Sequence, residues 1–161
     1  MKRKTDRLPD EIIKAIYVEN IGLITDWQDP TNIDYTDSDG RTMLFQAILA
    51  GSENIVLILL QNGATVNLKD HKGWYPLHYA AQNYRAKIAN LLLKKGADIE
   101  AKDDYGNTPL WRSVFASQGR GEMISLLLSH GANPNNANDS GVSPLALARN
   151  IANHDVKQFF E

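Results

Sequence analysis

Residues 70–81 read Asp70-His71-Lys72-Gly73-Trp74-Tyr75-Pro76-Leu77-His78-Tyr79-Ala80-Ala81. A tight turn comes first, and Gly73 supplies the positive φ that such turns often demand. Pro76 then suits the first position of a helix. Ala80 and Ala81 are small enough to let a neighbouring helix come close. Further on, Ile88, Ala89, Leu92 and Leu93 fall at i, i+1, i+4 and i+5, one face of a second helix. Gly96 follows where a left-handed residue ends a helix. The stretch predicts a turn and two helices, the first short, for example Leu77 to Asn83.

The same grammar recurs on both sides. Gly40, Gly73 and Gly106 are spaced by 33, as are Leu44, Leu77 and Leu110. Gly63 and Gly96 keep that step, and so do Leu59-Leu60 and Leu92-Leu93. The next members, Leu127-Leu128, Gly131, Gly141 and Leu145, arrive after 35. Two residues are therefore inserted once, and Ser117-Gln118-Gly119-Arg120-Gly121 reads as a lengthened, flexible loop. Each turn begins with Asp or Asn: Asp37, Asp70, Asp103 and Asn138. Thr108-Pro109 and Ser143-Pro144 add a capping hydroxyl to the helix start. A fixed period of this size marks a stacked-repeat architecture.

These residues resemble the ankyrin repeat. The match is strongest from Trp74 to Ala81 and from Ile88 to Ala97, and next at Asp103 to Leu110 and Leu126 to Asn135. It covers residues 37–161. The departures are Met43-Leu44-Phe45 in place of Pro-Leu-His, and Tyr75 in place of the capping threonine. The resemblance implies an all-α fold, a solenoid of helix-turn-helix units joined by β-hairpin turns. One domain over 1–161 is expected, with repeats at 37–69, 70–102 and 103–137. Residues 8–36 read as a degenerate N-terminal unit, with helices from Pro9 to about Val18 and from Ile21 to Trp27. Residues 138–161 read as a truncated C-terminal unit ending inside its second helix. Terminal units of such arrays are atypical because one face meets water.

The family geometry implies a curved stack whose turns and first helices line a concave face. The family's variable positions map here onto Ser38, Asp39, Arg41, His71, Lys72, Trp74, Gln82, Asn83, Asp104, Tyr105, Asn107, Phe115, Ala116, Asp139, Ser140 and Val142, with Leu49 at a first-helix end. Aromatic and arginine side chains dominate interface energies. The expected hot-spot strip is Arg41, Leu49, Trp74, Tyr105 and Phe115, rimmed by Lys72, Asp104 and Asn107. Turn tips offer little to bury Trp74 and Tyr105, whereas packing against neighbours is an equal reading for Leu49 and Phe115.

Chemistry of other kinds finds no foothold in the sequence. With no cysteine, disulfides and thiolate metal sites are excluded. His71, His78, His130 and His154 show no metal-ligand spacing, and His78 reads as a hydrogen-bonding structural residue. No nucleophile elbow or phosphate loop is present, so no catalytic residue, cofactor or metal is expected. The pI of about 6.1 and the lack of a basic stripe beyond Met1 to Arg7 disfavour nucleic acid. No segment reaches the roughly 20 apolar residues of a membrane span, and a cytoplasmic monomer is expected. Charge is uneven: residues 11–40 hold seven acids against Lys14. An acidic end steers basic partners, although a solvated cap is the plainer reading. The leading expectation is a protein that binds and inhibits another protein, resembling in size and layout the small ankyrin immunity proteins that neutralise bacterial toxins such as a basic nuclease. The alternative is an adaptor or scaffold in a host or viral signalling pathway.

Overall fold

A computed structural model describes residues 7–151 and 156–160. Among these the chain forms nine α-helices, taken in pairs: α1 (Asp10–Tyr17) and α2 (Ile21–Trp27), α3 (Met43–Ala50) and α4 (Glu53–Gln61), α5 (Pro76–Gln82) and α6 (Ala86–Lys94), α7 (Pro109–Phe115) and α8 (Glu122–Ser129), then α9 (Pro144–Asn150). The first helices pack in a row, α1 on α3, α3 on α5, α5 on α7 and α7 on α9, while α4, α6 and α8 form the second layer. The architecture is an all-α repeat solenoid. The hairpin turns are too short to carry strands: among the described residues there is one isolated bridge, between Arg7 and Thr36.

Local chemistry sets each helix. Thr108 and Ser143 accept from the N–H of Trp111 and Ala146, both at 3.2 Å, which closes donors that a helix start leaves open. Tyr75 has no threonine hydroxyl to offer, and His78 takes over. Its Nδ1 accepts from the Tyr75 N–H at 3.3 Å. The ring proton must then sit on Nε2, which donates to the Asn107 carbonyl at 2.9 Å, in the following unit. The core runs through the whole array as alternating layers, among them Leu44, Ile48, Val56 and Leu59, then Leu77, Ile88 and Leu92, then Leu110, Val114 and Leu127. Each such side chain stabilises by about 1.5–3 kcal/mol when fully buried.

A second set of contacts ties successive units at their far edge. The side chains of Asp34, Asn67 and Glu100 accept from the N–H of Thr65, Asp98 and Asn133 at 3.0, 2.9 and 2.6 Å. Side chains of one unit thereby satisfy backbone groups of the next, which couples the folding of neighbours.

One expectation needs correction. The inserted loop is not flexible in design but pinned. The Tyr84 hydroxyl reaches the carbonyls of Ser113 and Arg120 at 2.8 and 2.9 Å. The Arg120 guanidinium lies 4.0 Å over the Tyr84 ring and donates to the carbonyls of Ser117 and Ala116. After α9 the described residues include a short 3-10 helix, Lys157–Phe160. Its Phe159 ring lies against Gly121, leaving no room for a Cβ. His154 lies outside the described residues.

Burial holds the His78 imidazole below its ordinary pKa, and the nearby Arg112 adds to this. A depressed histidine contributes stability that is present above its unfolded value and lost as the pH falls below it. Stability should therefore decline below about pH 6.5, with a slope of up to about 1.4 kcal/mol per pH unit. Chemical unfolding at a series of pH values measures this. His78→Gln should be less stable at pH 7.5 but show a flatter profile; an unchanged slope in the variant would contradict the assignment.

Candidate functional site

Each turn is built by one Asp or Asn side chain. Asp70 Oδ1 accepts from the N–H of Lys72 at 2.9 Å and of Trp74 at 3.0 Å. Asp37 does the same with Asp39 and Arg41, Asp103 with Tyr105 and Asn107, and Asn138 with Ser140 and Val142. The second oxygen of each aspartate reaches the first helix of the same unit, always nine residues on. Asp37 accepts from Gln46 Nε2 at 2.6 Å, Asp70 from the Tyr79 hydroxyl at 2.6 Å, and Asp103 from Arg112 Nε at 2.9 Å. The projecting turn is thus clamped to the helix behind it.

The clamps also connect units. Arg41 donates from Nε to Asp70 at 3.4 Å and from its terminal nitrogen to the Tyr79 hydroxyl at 3.0 Å. Arg112 places its guanidinium 4.2 Å over the Trp74 ring, which itself lies 4.9 Å from the Tyr79 ring. Burial alone would raise the Asp103 carboxyl. Hydrogen bonds from Arg112 and from the N–H groups of Asn107 and Tyr105 outweigh it and hold the group below its ordinary range. Burial, with the hydrogen bond to Asp70, pushes the Tyr79 phenol up to about 12. Burial also opposes charge on Arg41, yet Tyr79, Asp70 and Asp39 keep the guanidinium above its already high ordinary value. The floor is a set of paired, hydrogen-bonded groups.

Over this floor opens a groove of about 650 Å³. It brings together five residues singled out from the sequence, Arg41, Lys72, Trp74, Asp104 and Tyr105, and adds His71, Tyr79 and Arg112. Tyr105 is 69% exposed, and Lys72 and Asp104 are also open to solvent. Four expected residues lie elsewhere or differently. Phe115 stands outside the groove, 59% exposed, with its ring stacked on Trp111 at 5.4 Å. Leu49 is half-buried and packs on the core. Asn107, expected at the rim, is buried: its amide donates to Asp103 and its Oδ1 accepts from Asn138 at 2.8 Å. Trp74 is half-buried rather than free at a turn tip, because Arg112 covers one of its faces. Tyr79 and Arg112 escaped sequence reasoning; the signal for both was the nine-residue step from each turn aspartate.

The described residues include no group of three or more His, Asp or Glu placed to hold a metal ion. No helix among them is long and apolar enough to cross a membrane.

Asp70→Ala would leave the Tyr79 phenol and two N–H groups without their acceptor and take from the half-buried Arg41 one of its two carboxylate partners, Asp39 remaining. These losses together should cost about 3–5 kcal/mol, against about 1–3 kcal/mol for Tyr79→Phe, which removes two hydrogen bonds, one to Asp70 and one from Arg41. Urea unfolding of both variants checks the ranking; equal losses would refute the clamp. A double-mutant cycle on Trp74 and Arg112 should return a coupling of about 0.5–1 kcal/mol, and additivity would contradict the stacking.

Comparison with known proteins agrees with this architecture. Residues 10–103 match the family model described as ankyrin repeats in three copies, and residues 105–139 match a further ankyrin repeat. The chain is 33% identical over 129 residues to the tyrosine-protein kinase Shark of Drosophila melanogaster, covering 80% of this chain and 14% of that protein. It is 40% identical over 78 residues to an interferon antagonist of monkeypox virus, covering 48% of this chain and 27% of that protein. It is 35% identical over 78 residues to protein phosphatase 1 regulatory subunit 27 of Mus musculus, covering 48% and 51%. The chain thus spans only part of each of these relatives. Ankyrin repeats are in general modules for binding other proteins rather than enzymes. On the family match over more than half its length, the chain belongs to the ankyrin repeat family.

Proposed function

We propose that the chain binds a partner protein through the face formed by its turns and first helices, and inhibits that partner by covering it. The observation that carries this reading is the groove: five expected contact residues meet above a floor whose buried charges are already paired. Docking there leaves those pairs intact and takes its energy from Tyr105, the open face of Trp74 and, at the neighbouring helix end, Phe115. Lys72 and Asp104 at the rim select orientation rather than supply affinity. In this reading the chain is one array of units (8–36, 37–69, 70–102, 103–137 and 138–161). It acts as a cytoplasmic monomer without cofactor or catalysis. As an immunity protein it would neutralise a cognate bacterial toxin, such as a nuclease, by occluding its active site.

A second reading is supported by the relatives, which include a phosphatase regulatory subunit and in which the matching region is part of a longer protein. In it the array is an adaptor, and the bound partner keeps its own activity. Assaying a partner's activity in the purified complex separates the two: loss of activity favours inhibition, and full activity favours the adaptor.

The binding face itself is tested by Tyr105→Ala and Phe115→Ala, both at exposed positions. Each should leave the melting profile unchanged and weaken the partner by at least about 2 kcal/mol, roughly 30-fold in Kd. A partner recovered by co-expression with the adjacent gene and bound within about twofold of the parent affinity by both variants would overturn the assignment.

A further inference from the structure

Exposed apolar side chains gather at one end of the array. Tyr17, Val18, Ile21 and Leu23 are all open to solvent, and they fall within seven consecutive residues across the turn from α1 to α2. The exposure of Leu23 is a matter of position. Asn20 caps α2 by accepting from the Leu23 N–H, as Ser52 caps α4 through Ile55. Leu23 therefore stands three residues after its cap, like Ile55, and like Ile88 after the Arg85 cap position of α6. Ile55 and Ile88 are 0% and 1% exposed; Leu23 is 41% exposed. The residue that follows each, Ile24, Val56 or Ala89, is buried in all three. The first pair is thus built like the others, with one sealed position left open.

Charge around this patch has one sign. Asp10, Glu11, Glu19 and Asp26 are exposed on α1, the turn and α2, with Lys14 the one basic residue from 10 to 27. Among the described residues none of these four acids forms an ion pair. The patch is also held in place: the Tyr17 hydroxyl donates to Gln46 Oε1 at 3.1 Å, and Gln46 is fixed by Asp37. Four open apolar side chains within one short stretch, with carboxylates around them, mark an interaction site, and carboxylates without an ion pair among the described residues favour a cationic partner.

We propose that the α1–α2 hairpin is a second docking surface, separate from the groove, for a basic amphipathic helix of a partner protein. The helix would set leucine-type side chains on Val18, Ile21 and Leu23 and lysine or arginine side chains beside Glu19 and Asp26. Its place in the array is independent of whether the groove binds.

The test uses the full chain and a synthetic helical peptide with leucines on one face and lysines on the other. A control peptide keeps every lysine and replaces the leucines with serine. The leucine-faced peptide should bind, and Val18→Ser with Leu23→Ser should weaken it about tenfold or more. Glu19→Lys with Asp26→Lys should weaken it similarly, and added salt should weaken the parent complex. Tyr105→Ala should change nothing. All substitutions lie at exposed positions, and unchanged melting curves confirm that the variants fold. Equal binding of the serine-faced peptide, or unchanged affinity in the Val18/Leu23 variant, would overturn the proposal. So would a concentration-dependent dimer that the same variant abolishes, since the occupant would then be a second copy.

Discussion

One inward-facing aspartate in each of the three turns at 37, 70 and 103 is the constraint on which the molecule rests. A turn tip projecting from a helix pair has exposed backbone donors and little apolar surface of its own. Asp37, Asp70 and Asp103 solve both problems at once: one oxygen closes the turn and the other holds the first helix. Burying these carboxylates is costly, and partners offset that cost: Gln46 for Asp37, Tyr79 and Arg41 for Asp70, and Arg112 for Asp103. Asn138 closes its turn in the same way, but Leu147 stands nine residues on and can donate no such bond. The Asn138 amide turns to Asn107 instead. The charged clamp is therefore confined to the turns of Asp37, Asp70 and Asp103.

This arrangement shapes what the face can do. Its middle is chemically spent, because Tyr79, Arg112 and most of Arg41 face inward on the aspartates. Its protruding parts are free, with Tyr105 at a turn tip and Phe115 at a helix end. A rigid backing with a few exposed aromatic anchors suits protein recognition, since little ordering entropy remains to be lost on docking.

Most of the fold was legible because its determinants are periodic. Gly40, Gly73 and Gly106 share one backbone conformation, with φ from 72° to 77°, and the paired leucines share one face. The site was legible only in part. Period alone locates the variable positions but not the direction of their side chains. Asn107 and Trp74 occupy variable positions and still turn inward, because Asn138 and Arg112 of later elements are there to receive them. The inserted loop looked loose from its glycines; a tyrosine 36 residues earlier in the chain, Tyr84, holds Arg120 in place. Such contacts depend on which two residue types happen to face each other across units, and no local pattern encodes that.

The most direct measurement is amide hydrogen exchange at Lys72, Trp74, Tyr105 and Asn107, the N–H groups that donate to Asp70 and Asp103. If the carboxylate clamp organises the array, these turn amides exchange as slowly as those inside α5 and α7. Exchange at the rate of an open surface loop would contradict it, for then the turns would be loose and the face they build would not be a preformed docking surface.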